Sequence, residues 1–315
     1  MAKNVAVAHA KGNSKLGKRI RDRWQLYLLL LLPVAWLILF AYVPMTGIVI
    51  AFEKYKPLKG IFGSTWVGLK NFQDFFGSYK AGMVIKNTLT VSLYSLVVTF
   101  PIPILFALLL NVMPGVKYKK AIQTVTYIPY FFSSVVMVGL LYQIIDYRNG
   151  LFGTLYKVLA GTTAPNLLEN GSNFFHLYVW SAVWQNTGYS AIIYIAALSS
   201  CDQSLHEAAM IDGASRLQRV IHIDVPCILP TVSIMLVLAV GNIMNVGYEK
   251  VLLMQNNLNA NYSEIISTYA YKIGLVQANN FGQSTAISLF NSVVNFILLI
   301  TANFASNKMT GSGIF

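Results

Sequence analysis

Several long, uninterrupted apolar runs constrain this chain more than any other feature. About 20 residues of helix, rising about 1.5 Å each, cross the hydrocarbon core of a bilayer. The first such run covers residues 24–51. Charged residues make up 11% of the 315 and hydrophobic residues 56%, whereas a soluble domain carries about 25% charged residues. A chain so poor in charge has nothing to cover a soluble core with, so its expected surroundings are lipid. The runs are long and continuously apolar, not short and alternating, which favours helices over barrel strands.

The expected architecture is all-α, a polytopic membrane protein with six transmembrane helices near residues 26–50, 84–111, 121–145, 174–198, 228–248 and 282–305. The chain divides into a basic tail (1–23), a first membrane helix with an outer amphipathic segment (24–83), a membrane core with a polar loop at 204–230 (84–306), and a short tail (307–315). Pro33, Pro101 and Pro103 fall inside spans and predict kinks. The basic stretch 15–23 before the first run resembles a signal peptide, but no small-residue cleavage site follows, so a retained anchor is expected. The segment 66–76 places Trp66, Leu69, Phe72, Phe75 and Phe76 at near-helical spacing and predicts an amphipathic helix on the outer membrane surface.

The net charge of +12 does not point to nucleic acid, because the basic residues flank the apolar runs, as topology signals do. The dense cluster Lys3, Lys11, Lys15, Lys18, Arg19, Arg21 and Arg23, with Lys117, Lys119 and Lys120 after the second span, places both termini in the cytoplasm. Cys201 and Cys227 then share a cytoplasmic loop, where thiols stay reduced, so no disulfide framework is implied.

No catalytic chemistry stands out. Residues 12–19 match the first seven positions of a phosphate-binding loop but put Arg19 where Ser or Thr should hold Mg²⁺, and no strand precedes them. The histidines His9, His176, His206 and His222 are scattered, and there is no HExxH, CxxC or GxSxG. No catalytic or metal residue is assigned. The spans also lack the intramembrane acids of proton-driven carriers: Asp146 and Glu249 sit near span ends. Solute movement by this chain therefore calls for an external motor.

The loop 204–230, SLHEAAMIDGASRLQRVIHIDVPCILP, offers a place to receive that force. Glu207 begins a short helix on which Ala208 and Ala209 permit close approach, Asp212 and Gly213 end it, and Ser215 caps a second helix carrying Arg216 and Arg219. Val220, Ile221 and Ile223 supply its apolar face, and Pro226 and Pro230 lead back into the membrane. The order Glu207-Ala208-Ala209, Asp212-Gly213-Ala214, Ile223, Pro226, Pro230, between the fourth and fifth spans, resembles the EAA loop of binding-protein-dependent ABC importer permeases. Val220 departs from the pattern, which often has a larger aromatic there. Residues 21–52 and the WVGLKNF segment are similar to the carbohydrate-uptake branch, especially permeases that work with lipoprotein binding proteins on oligosaccharides or polysaccharide fragments.

That resemblance implies a type I importer fold and a bacterial cytoplasmic membrane location. It also implies an ATPase-coupling role for Glu207, Ala208, Ala209, Asp212, Gly213, Ala214, Arg216 and Pro226. The implied partners are a cytoplasmic ATPase dimer, a second similar permease, an extracytoplasmic solute-binding lipoprotein and an oligosaccharide. ATP and Mg would sit on the ATPase, with no cofactor on this chain.

Polar residues within spans face the bundle interior or a watery path. Trp184, Gln185, Asn186, Thr187 and Tyr189 lie mid-span in the fourth helix, and Asn242 and Asn245 share a face of the fifth, with Tyr248 and Glu249 towards its outer end. Amides suit hydroxyl-rich ligands because they both donate and accept. The expected pathway residues are Trp184, Gln185, Tyr189, Asn242, Asn245, Tyr248 and Glu249, and the resemblance points to the same stretches. The alternative for the amides is glue between helices. Glu249 has three open roles: a sugar hydroxyl, Lys250 or Lys272, or the binding protein. An uncharged saccharide is favoured, with Lys86 and Arg148 as the cations an anion would find. Competing functions are a membrane enzyme acting on lipid-linked sugars, a scaffold with no pathway, and an ABC permease for a non-sugar solute.

Overall fold

The computed structural model describes residues 22–277 and 280–310. Residues 1–21, with most of the basic tail and the near-match to a phosphate loop, and 311–315 of the short tail lie outside the described residues.

Helix α1 (Trp24–Leu37) accommodates Pro33 and relaxes just beyond it into a π-helical turn, Ile38–Tyr42. The helical path continues to Phe52, and none of its apolar window is buried by the rest of the chain. Such a helix needs lipid around it. A two-residue antiparallel ribbon follows, β1 (Glu53–Lys54) with β2 (Thr65–Trp66). The chain is thus not purely helical, and Trp66 is not on the expected amphipathic helix. Gly68 takes φ +61°, which stops a helix from running through it, so α2 covers only Lys70–Phe76. Phe75 is buried, and Asn71 Nδ2 donates to the carbonyls of Ala51 at 2.8 Å and Glu53 at 3.0 Å.

Helices α3 (Tyr79–Thr99) and α4 (Pro101–Val112) run end to end, with Pro101 in the first turn of α4, where its missing N–H costs nothing. The expected single helix 121–145 is instead two. α5 (Val116–Tyr127) passes through a 3₁₀ turn, Ile128–Phe131, and α6 (Ser134–Ile145) leaves at 109°. Phe132 is extended there, and Ser133 caps α6 by accepting from the Val136 N–H at 3.3 Å. Then come α7 (Leu151–Ala160), α8 (Asn173–Ser199), α9 (Gln203–Ile211) and α10 (Arg216–Arg219). α10 leads without a break into α11 (Val225–Gly241). The expected fifth span stops at Gly241 and does not reach 248: residues 242–247 are non-helical, and α12 (Tyr248–Met254) begins anew. α13 (Ile266–Tyr271) and α14 (Phe281–Thr310) complete the chain.

Four helical segments among the described residues are long and apolar enough to cross a membrane, or five if the bent α5–α6 pair is one span. The expected six are not reached because α8, though 27 residues long, carries His176, Gln185, Asn186 and Thr187. It is nevertheless the centre of the fold. α3, α4, α5 and α11 pack around it. One apolar cluster joins Val91, Val138, Phe174, Val179 and Val251, and another joins Ala107, Ala191, Tyr194, Leu198 and Ile228. Gly188 on α8 lies against the Thr126 carbonyl of α5, where a Cβ would collide with backbone. Gly188→Val is expected to lower stability by about 1–3 kcal/mol or more, as overpacking does, read as a drop in Tm of the detergent-purified protein.

At the end of the bundle away from the 204–230 loop, Glu264 is buried between Lys80 (3.1 Å) and Lys272 (3.2 Å). Asn87 Nδ2 donates to the carbonyls of Asn261 and Glu264. This polar clamp joins α3 to the approach to α13.

Candidate functional site

Local chemistry builds the loop. α9 starts at Gln203, four residues before Glu207, because the Asp202 carboxylate caps it by accepting from the Ser204 N–H at 2.9 Å. That bond holds the Asp202 pKa below the usual carboxylate value. The expectation that Glu207 opens the helix is corrected: Glu207 sits on its middle turn, exposed. The other end is a Schellman turn. Gly213 takes φ +79°, its N–H reaches the Met210 carbonyl (3.1 Å), and the Ala214 N–H reaches Ala209 (2.8 Å). Ser215 opens α10 with a capping box, in which the Gln218 N–H donates to its hydroxyl and its own N–H donates to Gln218 Oε1 at 2.7 Å. The product is a two-helix knob. It leaves Glu207, Ala208 and Asp212 exposed, with Ile211 at 87% and Leu217 at 68% exposure. Ile211 in particular is an apolar side chain bare on a polar knob, a surface of the kind that partners cover.

The knob's feet are fastened in two ways. Asp224 is buried, accepts from Asn111 Nδ2 at 3.1 Å, and lies 3.3 Å from His206 Nε2. Cys201 and Cys227 form a disulfide across the two feet, with Cα atoms 6.1 Å apart. This corrects the expectation of free thiols, which rested on compartment alone: the loop closes on itself and brings 201 and 227 together. Asp224→Ala is expected to loosen the foot by about 0.5–1.5 kcal/mol, the net worth of a hydrogen bond whose remaining donors, Asn111 and His206, can still reach water. Faster hydrogen exchange of the 203–211 amides would register it.

The polar residues of the bundle fall into three sets. In the first, Asn245 is a hub: its Nδ2 donates to Asn242 Oδ1 (3.3 Å), and its Oδ1 accepts from Asn291 (3.3 Å) and Asn295 (3.0 Å) on α14. Asn295 Oδ1 in turn accepts the Met244 N–H at 3.0 Å, satisfying backbone freed by the break after α11. Asn242 and Asn245 line a cavity of about 190 Å³ with Ser92, Ser95 and Thr99 of α3. The hydroxyls of Ser92 and Ser95 are buried with no partner among the described residues, and so are open to a polar ligand. In the second set, Gln185 Nε2 donates to the Phe132 carbonyl (3.1 Å), and the Tyr189 ring stacks on Tyr130 at 3.7 Å between centroids. In the third, Glu249 Oε2 accepts from Ser134 Oγ at 3.1 Å.

The structure therefore joins Asn242 to Asn245, Gln185 and Tyr189 to the α5–α6 bend, and Glu249 to the start of α6. Glu249 pairs with neither lysine considered for it. Lys250 Nζ donates to the Tyr178 carbonyl, and Lys272 goes to Gln255 and Glu264. Trp184 and Tyr248 are about half exposed and lie outside the Asn242–Asn245 cavity. Two interrupted helices, α5–α6 and α11–α12, meet α8 where these polar groups gather. Irregular backbone inside a membrane bundle is tolerated where it is buried in protein or lines a cavity.

The family model described as "Binding-protein-dependent transport system inner membrane component" matches residues 100–311. The chain belongs to that family. The permease is 41% identical to the polygalacturonan/rhamnogalacturonan transport system permease protein YteP of Bacillus subtilis, over 99% of this chain and 96% of that protein. It is 37% identical to Protein LplB of the same organism, over 97% and 95%. Among solved structures it is similar to a chain of a bacterial alginate ABC transporter in complex with alginate pentasaccharide-bound periplasmic protein. There the identity is 35%, the TM-score 0.86, and the coverage 95% of this chain and 100% of that one. The permease is thus a transport subunit of a membrane importer, with the type I importer fold.

Sequence reasoning missed Asn291, Asn295, Tyr130 and Ser134. The asparagines had a usable signal, since two amides four apart in an apolar helix share a face. For Tyr130 and Ser134 the signal was Pro129 and the capping Ser133, which mark a helix break that the expectation of a continuous helix overlooked.

Proposed function

We propose that the permease takes up oligosaccharides handed over by an extracytoplasmic solute-binding protein, driven by a separate cytoplasmic ATPase dimer and working beside a second, similar permease. In this reading six segments cross the membrane, with α8 and the bent α5–α6 pair included, and both termini face the cytoplasm. ATP and Mg stay on the ATPase, and this chain binds no cofactor. The protruding knob of α9 and α10 carries the proposal: its rigid caps, bare apolar tip and exposed Glu207 suit a partner that pushes. Glu207, Ala208, Ala209, Asp212, Gly213 and Ala214 form the docking face, with Arg216 and Pro226 behind it.

Asn242, Asn245, Gln185, Tyr189, Trp184, Tyr248 and Glu249 are the proposed pathway, joined by Asn291, Tyr130 and Ser134. Amide and hydroxyl groups at the Asn242–Asn245 cavity would exchange hydrogen bonds with sugar hydroxyls, and the tyrosines offer ring faces. Replacing Asn242 and Asn245 together is expected to raise the apparent transport KM about thirtyfold or abolish uptake, each lost hydrogen bond being worth about 1 kcal/mol. Unchanged uptake kinetics would remove these residues from the pathway.

A second reading concerns the sugar's charge. Amides favour a neutral saccharide, yet the similar transporter of solved structure imports the acidic polysaccharide alginate. Lys86, exposed on α3, and Arg148, beyond α6, are cations an acidic oligomer would meet. Uptake of neutral against uronate oligosaccharides by the reconstituted complex separates the two, and Lys86→Gln should weaken only the uronate.

A further inference from the structure

Two cavities meet at the base of the loop, and their linings differ in kind. One, of about 380 Å³, is a crevice between Leu105, Leu108, Leu109 and Val112 of α4 and Leu217 and Val220 at the start of the α10–α11 helix. Apart from Arg216 at its mouth, its lining is apolar. The other, of about 280 Å³, is polar and is walled by Asn111, Gln203, His206, Arg219 and Asp224. Val112, Arg216 and Val220 line both. A charged chamber thus opens beside a hydrocarbon slot, with an arginine at the junction.

The chamber's charge is unbalanced towards the positive. Asp224 is already engaged by Asn111 and His206. Arg216 and Arg219 remain, and Arg219 Nε is buried with no hydrogen-bond partner among the described residues. A buried guanidinium N–H left unpaired costs free energy that an oxyanion would recover. Lys119 stands nearby, its Nζ donating to the Asn111 carbonyl at 3.0 Å. The slot runs along one face of α4 over the eight residues 105–112, about 10 Å at helical rise, starting from the end of a membrane-crossing segment. An anionic head joined to a hydrocarbon tail fits this pair of cavities. A free anion would leave the slot empty, a lipid without phosphate would leave the arginines unpaired, and a zwitterionic one would bring a choline cation up against Arg216, Arg219 and Lys119.

We propose that one anionic phospholipid occupies this site, its phosphate between Arg216 and Arg219 and one acyl chain along Leu105, Leu108 and Leu109. The lipid would brace the loop's second helix against α4, so that the knob keeps a fixed height above the bilayer. The site requires only that α4 lies in a membrane. It does not depend on the sugar or on which leaflet the loop faces.

The test uses the whole importer in nanodiscs with a photoreactive phosphatidylglycerol bearing a diazirine on its acyl chain. Labelling should concentrate on residues 101–112 and 216–224, well above the bulk-lipid level set by residues 24–37. Excess phosphatidylglycerol should compete, whereas phosphatidylcholine and inorganic phosphate should not. Arg216→Gln should cut the labelling about tenfold, in line with the loss of hydrogen bonds to a charged group, and Leu109→Trp should block it by filling the slot. Labelling no higher than on residues 24–37, equal competition by phosphatidylcholine, or wild-type labelling of both variants would overturn the proposal. Lipid contact, not uptake, is what the label reads, so the lipid site stands or falls separately from the transport role.

Discussion

Gly213→Val is expected to abolish sugar uptake, or cut it more than tenfold, while the permease still inserts and reaches normal amounts in the membrane. Gly213 holds φ +79°, and a Cβ there would meet no neighbour within 4 Å. The defect would be backbone strain, not collision. A left-handed conformation costs an ordinary L-residue about 1–2 kcal/mol, and a β-branched one more. The Schellman turn that sets the angle between α9 and α10 would open, and the docking face from Glu207 to Ala214 would lose its shape. Gly213→Asn supplies the control. Asparagine visits the left-handed region readily, so it should keep most of the uptake. The deciding measurement is uptake into cells, normalised to permease in the membrane fraction. Equal loss in both variants would point to a side-chain clash with the partner and not to the turn.

Asn245→Leu should have the second-largest effect. Asn245 receives hydrogen bonds from two α14 side chains and gives one to Asn242, so its removal strands Asn291 and the buried Asn295. Leaving the buried Asn295 amide unpaired costs about 1–3 kcal/mol, and the partly exposed Asn291 adds less. The Tm of the purified permease should fall, and uptake should drop with it, because α14 and the break after α11 would no longer be registered. Asn295→Leu removes the same bond from the other side, so the double variant should be less unstable than the sum of the singles. A coupling of about 0.5–3 kcal/mol is expected for residues in one network. Strict additivity would mean that the two asparagines act independently.

The knob is the part of the candidate site most legible in the sequence. Its elements are local: a cap from Asp202, a glycine turn, a capping box four residues long. Sequence neighbours alone determine such features, which is why Gly213 and Ser215 play the parts expected of them. The start of α9 is the one local feature that differs, because the Asp202 cap sets the first turn ahead of Glu207. The polar groups within the bundle are legible only by halves. Asn242 and Asn245 stand out because a polar residue in an apolar run is conspicuous, but their partners Asn291 and Asn295 lie about fifty residues away. Tyr189 is conspicuous and Tyr130 is not: Pro129 beside it announces an interruption of the helix, but not a bend of 109° or the ring that Tyr130 meets.

By itself, then, the sequence determined the solvent, the helical class and the two-helix knob, because partition into lipid and turn chemistry depend on composition and near neighbours. Tertiary structure alone decided where helices break, which amides meet, that Cys201 closes on Cys227, and that a charged chamber opens into an apolar slot beside α4. Those features come from surfaces far apart in the chain. Only packing brings them together, and a buried polar group takes whichever partner the packing supplies.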